Sequence, residues 1–107
     1  MSQPLCHFYK LTGRRAVVCE DVTEWGEWYA RADRCVAETW IDDVRISTVF
    51  LAIDHDPFGT GDPVLFETMV FVNEVTHNMK RYFIWEEAEA GYAEMVEQIR
   101  AEWPLPS

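Results

Sequence analysis

Two apolar segments, joined by a loop rich in glycine, proline and aspartate, occupy the centre of this sequence. The first spans residues 46–56 and the second spans residues 64–72. Both are rich in β-branched and aromatic residues, which predicts a long β-hairpin with an irregular loop. The first arm carries Phe50 on one face and Val49 on the other. Because both of its faces are apolar, we expect this hairpin to be covered on both sides and to form the middle of a sheet.

The chain before this hairpin predicts a second hairpin, a helix and a strand. Residues 5–11 and 15–20 flank a Thr-Gly-Arg turn whose tip carries the densest basic cluster of the chain. Thr23 is the expected N-cap of a short helix. Side chains of two kinds, apolar and polar, alternate over much of residues 35–41, which predicts a strand. Asp42 and Asp43 are expected to form the turn that follows it. The apolar face of the helix recurs at steps of three and four residues, at Trp25, Trp28, Tyr29 and Ala32.

The C-terminal third predicts a polar connection over residues 73–78, a short strand over residues 80–85 and a long amphipathic helix. No linker or repeat divides the chain. We therefore predict an α+β fold, with residues 1–107 forming one domain in which two helices pack on an antiparallel sheet of about five to six strands. The apolar stripe of the last helix consists of Trp85, Ala88, Tyr92, Met95, Val96, Ile99 and Trp103.

Charge and cysteine content limit the classes of function. The 107 residues carry 19 acidic against 9 basic side chains, a formal net charge of −10. Nucleic-acid binding needs positive charge, so direct binding is not expected, whereas a basic protein surface would attract this chain. No stretch reaches the roughly 18 apolar residues of a membrane span, and the N-terminus lacks the pattern of a signal peptide. The widely separated Cys6, Cys19 and Cys35 predict reduced thiols in a cytoplasmic protein.

Three segments together resemble a family of small, uncharacterised phage and prophage proteins. They read ISTVFLAIDH from residue 46, LFETMVF from residue 65, and RY at 81–82 followed by WEEAEAG at 85–91. The resemblance covers roughly residues 35–100 and implies a mobile-element origin, and hence a bacterial host, without an established activity. Four positions depart from the family pattern: Ala52 replaces glycine, Asp62 replaces proline, Ile84 replaces threonine or serine, and Tyr92 replaces histidine.

One group of residues has the chemistry of a catalytic or metal site. Asp54, His55, Asp56 and Glu67 could bind a divalent metal or act as acid and base, as in a metal-dependent hydrolase or nuclease. If the central hairpin closes around residues 56–62, however, Glu67 lies about 13 Å from His55 along the strand. Asp54 and Asp56 also suit a turn, where their carboxylates cap backbone amides. We therefore predict no catalytic residues, no metal and no cofactor, and keep the hydrolase as the alternative.

The acidic face of the last helix is the candidate for partner binding, with solubility alone as the alternative use of its charge. Glu86, Glu87, Glu94 and Glu97 point away from its apolar stripe, with almost no basic residue nearby. Together with the resemblance, this face predicts a non-enzymatic phage protein that binds a host protein. Such a protein would compete with nucleic acid for a basic surface, as an anti-CRISPR inhibitor does. A third interpretation, a homodimer formed through exposed aromatic residues, remains open.

Overall fold

The computed structural model describes residues 7–55 and 61–102. Within these ranges the chain forms six strands and two helices, and all strand pairs are antiparallel. The predicted α+β class is therefore confirmed. In chain order the elements are β1 (Tyr9–Thr12), β2 (Arg15–Val18), α1 (Val22–Arg31), β3 (Cys35–Ile41), β4 (Val44–Phe50), β5 (Phe66–Val72), β6 (Val75–Tyr82) and α2 (Trp85–Glu102).

The described strands form two sheets instead of the single sheet predicted from the sequence. β1 and β2 form a separate hairpin, and β3, β4, β5 and β6 form a four-stranded sheet in that order. The physical reason lies at Ala52, where φ is 67° and the chain bends after β4. Before the bend, Leu51 donates to the carbonyl of Leu65 at 2.7 Å; beyond it, Asp54 donates to the carbonyl of His7 at 2.9 Å. Beyond the bend, residues 52–54 pair with residues 7–9 on one side, while His55 still donates to the carbonyl of Val64 at 3.0 Å on the other.

The central hairpin is placed as predicted, and the described helices cover one of its faces. β4 and β5 pair from Val44 opposite Val72 to Phe50 opposite Phe66, and they are the two inner strands of the sheet. Val44 and Phe50 are fully buried on the face that meets the helices. On the other face no described helix packs, and Arg45 lies across the ring of Phe71 at 4.2 Å. Ser47 and Glu67 on this second face are nevertheless buried, so coverage on both faces stays a prediction.

The core lies between the sheet and the helices. α2 contacts all four strands of the larger sheet, and Met95 and Ile99 pack with Ile46 and Val70 of the central hairpin. The hydroxyl of Tyr92 bonds to that of Thr39 in β3. The predicted apolar stripe of α2 is therefore confirmed over its described length, and Trp103 lies outside the described residues. Around Phe50 and Phe66, a second cluster includes Trp25, Trp28 and Tyr29 of α1, as their spacing predicted.

Two of the element boundaries that differ from the prediction have a clear physical reason. Asp21, not Thr23, caps α1: its carboxylate accepts from the amides of Thr23 at 2.9 Å and Glu24 at 3.1 Å. A carboxylate both accepts these two bonds and opposes the positive end of the helix dipole. Residues 75–78, predicted as a polar connection, begin the edge strand β6. Because all residues of β6 before Tyr82 are exposed, a polar sequence is compatible with a strand there.

Candidate functional site

Four glutamates predicted to bind a partner lie on the solvent side of α2. We call Glu86, Glu87, Glu94 and Glu97 the acidic stripe; all four are exposed. The helix buries Met95 and Ile99 on its opposite side, which fixes the outward direction of the stripe. From Glu86 to Glu97 the stripe extends about 17 Å, at 1.5 Å per residue. It is long enough to meet several basic side chains of a partner.

No described lysine or arginine neutralises the acidic stripe. The ion pairs that join described residues are Lys10 with Glu24, Arg45 with Glu38, and Arg81 with Glu67, and none involves a carboxylate of α2. Arg100, in the last turn of the helix, is exposed and forms none of these pairs. The exposed carboxylates of α2 therefore outnumber the cations near them, and the excess negative charge attracts cations from solution.

Glu87 differs from the rest of the stripe because it caps its own helix. Its Oε1 accepts from the amides of Phe83 at 3.1 Å and Ile84 at 3.4 Å. Ile84 has no side-chain oxygen with which to cap α2, so the glutamate three residues later satisfies these amides from within the first turn. Glu87 therefore has a structural role, and Glu86, Glu94 and Glu97 are the members of the stripe without one.

Two carboxylates of the acidic stripe, Glu87 and Glu94, also border a groove between α2 and β6. The groove has a volume of about 370 Å³ and is lined by Glu87 and Glu94 on the helix and by Lys80 and Arg81 on the strand. Lys80 lies over the ring of Tyr82, with its Nζ 5.8 Å from the ring centroid. This side of the stripe therefore faces cations of the chain itself, whereas its outer side faces solvent.

The alternative site at residues 54–56 is held by turn hydrogen bonds in its described part. Asp54 Oδ1 accepts from the amide of Val64 at 2.9 Å. His55 Nδ1 donates to the carbonyl of Ile53 at 2.9 Å, and its backbone amide donates to the carbonyl of Val64 at 3.0 Å. Asp56 lies outside the described residues. Asp54 and His55 thus close the hairpin loop in the manner expected of a turn.

Glu67, the fourth residue of that alternative, has a different partner. Its Oε2 accepts from Arg81 Nε at 2.9 Å, and its side chain is 11% exposed. Val64, to which Asp54 and His55 bond, precedes Glu67 by three residues, roughly 10 Å of extended chain. Among the described residues, no three His, Cys, Asp or Glu side chains are grouped closely enough to hold a metal ion. The structure therefore separates Glu67 from Asp54 and His55.

The sequence did not predict a cleft between the β1–β2 hairpin and the start of α2. It has a volume of about 360 Å³ and a mostly apolar lining, with Arg14 and Arg15 on one side and Trp85 on the other. Arg14 Cζ lies 5.8 Å from the ring centroid of Trp85. The basic tip of the hairpin was visible in the sequence. Its contact with Trp85, about 70 residues further along the chain, leaves no local pattern from which it could be predicted.

Comparison with known proteins identifies no relative of this chain. No family model matches the chain, and comparisons with curated proteins and with solved structures give no match either. Neither helix in the described part of the chain is long and apolar enough to cross a membrane.

Proposed function

We propose that this chain is a non-enzymatic protein of a phage or another mobile element, which binds a basic surface of a host protein in the bacterial cytoplasm. The observation that carries the proposal is the acidic stripe, an exposed row of carboxylates without an ion pair to the described part of the chain. The resemblance of residues 35–100 to phage and prophage proteins supports the proposed origin. The net charge of −10 agrees with a basic partner.

The proposed mechanism is competition with nucleic acid. A protein that holds DNA or RNA presents lysines and arginines to phosphates, and a row of glutamates offers the same groups an alternative anion. Glu86, Glu94 and Glu97 would bind there, while the docked apolar face of α2 fixes the backbone that carries them. Binding then costs the rotamer freedom of the three side chains but no ordering of the backbone. Inhibition of a nucleic-acid-guided defence complex, as by an anti-CRISPR protein, is the proposed biological role.

Neither alternative from the sequence has equal support. A metal-dependent hydrolase would need Glu67 near Asp54 and His55, whereas Glu67 is paired with Arg81. Self-association through exposed aromatic residues would use Trp40, which is 54% exposed, and Phe83, which is 42% exposed. Two exposed apolar side chains are a small fraction of the roughly 800 Å² per partner that a stable interface buries.

Affinity capture from a bacterial host lysate, with the intact protein as bait, tests the proposal. The test variant is Glu94→Lys/Glu97→Lys, which reverses two charges of the stripe. The control is Glu20→Lys/Glu27→Lys, which makes the same change in net charge at two exposed glutamates before and within α1. We expect a captured protein that the control retains and the test variant loses. Added duplex DNA or RNA should displace this protein, because both ligands occupy one basic surface.

Two results would contradict the proposal. One is equal loss of the captured protein in both double variants, which would make net charge, not the stripe, the determinant. The other is a ternary complex of bait, captured protein and nucleic acid, which would show that the two ligands do not compete.

A further inference from the structure

The cleft at the start of α2 has the shape and lining of a small-molecule site. Its walls are aromatic or aliphatic and come from three separate parts of the chain. Ligand pockets usually measure about 300–1,000 Å³ and combine an apolar lining with a few polar groups, so this cleft, with a volume of about 360 Å³, fits a compound of one or two rings. The apolar lining consists of Tyr9, Ala16, Pro63, Leu65, Phe66, Phe83, Ile84 and Trp85.

Two arginines border this cleft, and neither forms an ion pair with a described carboxylate. The third cation of the hairpin, Lys10, is held by Glu24 at 2.9 Å, and this hydrogen bond raises the pKa of Lys10 above its ordinary value. Arg14 instead lies over Trp85, and Arg15 is exposed at the start of β2. In a chain with 19 acidic residues, two adjacent arginines without such a pair form an unusual positive site.

Trp85, one of the residues that line the cleft, also carries an unpaired donor. The indole Nε1 of Trp85 is shielded from solvent and has no hydrogen-bond acceptor in the described part of the molecule. Most buried side-chain donors in proteins have an acceptor, and an unpaired one calls for an explanation such as a missing ligand or ion.

We propose that this cleft binds a small aromatic carboxylate, with the aryl group between the apolar walls and the carboxylate facing Arg14 and Arg15. The guanidinium fork matches a carboxylate in two parallel hydrogen bonds, and Phe83 and Trp85 supply aromatic surface to the ring. The proposal goes beyond the proposed function, because the arginines and the apolar walls of the cleft take no part in the acidic stripe, although Glu86 borders both surfaces.

Two acidic residues at the rim define the orientation of the ligand. Asp62 and Glu86 also border the cleft, and both are exposed. They repel an anionic group on their side, so the carboxylate must lie beside the arginines. Loss of one of these charges should therefore strengthen binding, an effect that a merely structural role of Glu86 would not produce.

Titration with naphthalene-2-acetate, followed by nitrogen–proton NMR of the tryptophan indoles, tests the proposal. The chain has five tryptophans, and the spectrum of Trp85→Phe assigns the Trp85 resonance. We expect a saturable shift of the Trp85 indole with one ligand per chain. The neutral 2-(2-naphthyl)ethanol, which has the same ring without the charge, should bind about tenfold or more weakly, since a hydrogen bond to a charged group is lost.

Matched variants separate the cleft from general charge effects. Arg14→Gln/Arg15→Gln should weaken naphthalene-2-acetate about tenfold and leave the alcohol unchanged. Arg31→Gln/Arg100→Gln removes the same charge at exposed positions outside the cleft and should not change binding. Glu86→Gln should strengthen it. Three results would overturn the proposal: no saturable shift at millimolar ligand, equal affinity for the acid and the alcohol, or equal weakening by both arginine pairs.

Discussion

The ring of Tyr82 lies directly against the backbone of Gly91, so that β6 and α2 approach each other at a point without room for a side chain. A methyl group at position 91 would overlap the ring. We expect Gly91→Ala to lower the free energy of unfolding by about 1–2 kcal/mol, because overpacking outweighs the gain of about 1 kcal/mol in helix propensity. Urea denaturation measures the change. Gly26→Ala, where a methyl group meets nothing in α1, should instead stabilise by about 1 kcal/mol.

The hydroxyl of Tyr82 gives a related prediction. It is buried and has no hydrogen-bond partner among the described residues. Since an unpaired buried hydroxyl is unfavourable, Tyr82→Phe should keep or slightly raise the free energy of unfolding. A loss of more than about 1 kcal/mol in urea denaturation would show that the hydroxyl donates to another group.

Ala52 has a backbone conformation that favours glycine. Its φ is 67° and its side chain is fully buried. Ala52→Val should lower the free energy of unfolding by about 2–4 kcal/mol, because a β-branched residue is strained there and overfills the core. Ala52→Gly should change it by less than about 1 kcal/mol, since relief of strain offsets the lost methyl group. Thermal unfolding measures both. Equal stability of the valine and glycine variants would contradict the assigned φ.

The first turn of α2 contains two neighbouring glutamates with different roles. Glu87 accepts from the amides of Phe83 and Ile84, whereas Glu86 forms no such bond. Glu87→Ala should therefore lower the free energy of unfolding by about 1 kcal/mol. Glu86→Ala should change it by no more than about 0.5 kcal/mol. Chemical denaturation of both variants makes the comparison, and an equal loss in the two would exclude the cap.

Met95 anchors α2 on the sheet. It is 5% exposed and packs with Ile46 and Val70. Met95→Ala should lower the free energy of unfolding by about 2–5 kcal/mol, as expected for a large-to-small change in a core. Glu94→Ala, one position earlier on the exposed side, should change it by about 0.5 kcal/mol or less. If the denaturant midpoint of Met95→Ala equals that of the wild type, the apolar face of α2 is not part of the core.

Cys35 should react slowly with alkylating reagents at neutral pH. The pKa of its thiol is raised, mainly by partial burial and to a smaller extent by the negative charges of Glu38 and Asp33. A raised pKa lowers the thiolate fraction at a given pH, so alkylation by iodoacetamide should continue to accelerate above the ordinary thiol pKa. Mass spectrometry of the peptide that carries Cys35 follows the reaction. Glu38→Gln should increase the rate at pH 8; no change would remove Glu38 as a cause.

The parts of the fold that depend on local periodicity were predictable from the sequence. Alternation placed β3 at its observed bounds, and the three- and four-residue spacing of Ala88, Met95 and Ile99 identified the docked face of α2. The division into two sheets was not predictable, because it depends on the backbone conformation of one residue, Ala52. Apolar residues on both faces of β4 show that both faces are shielded from water, but they do not show which element shields each face.

The candidate site divides in the same way. The outward direction of Glu86, Glu94 and Glu97 follows from helical periodicity and was predicted. The cap formed by Glu87 had a local signal, because a glutamate three residues after the N-cap position is half of a capping box. The signal was incomplete, since Ile84 occupies the N-cap position in place of serine or threonine. The cleft had no signal, since the distance between Arg14 and Trp85 is set by how the two sheets are joined.

The order of strands in the larger sheet also has a kinetic consequence. Each strand from β3 to β6 pairs with its neighbour in sequence, and two of the three pairings close through turns of two residues. Such turns have a small loop-closure entropy, so these hairpins form early. The pairing of β4 with β5 instead requires closure of the loop formed by residues 51–65, and we expect this step to limit the folding rate. Glycine insertions in that loop should therefore slow folding and leave the unfolding rate nearly constant, as stopped-flow measurements would show.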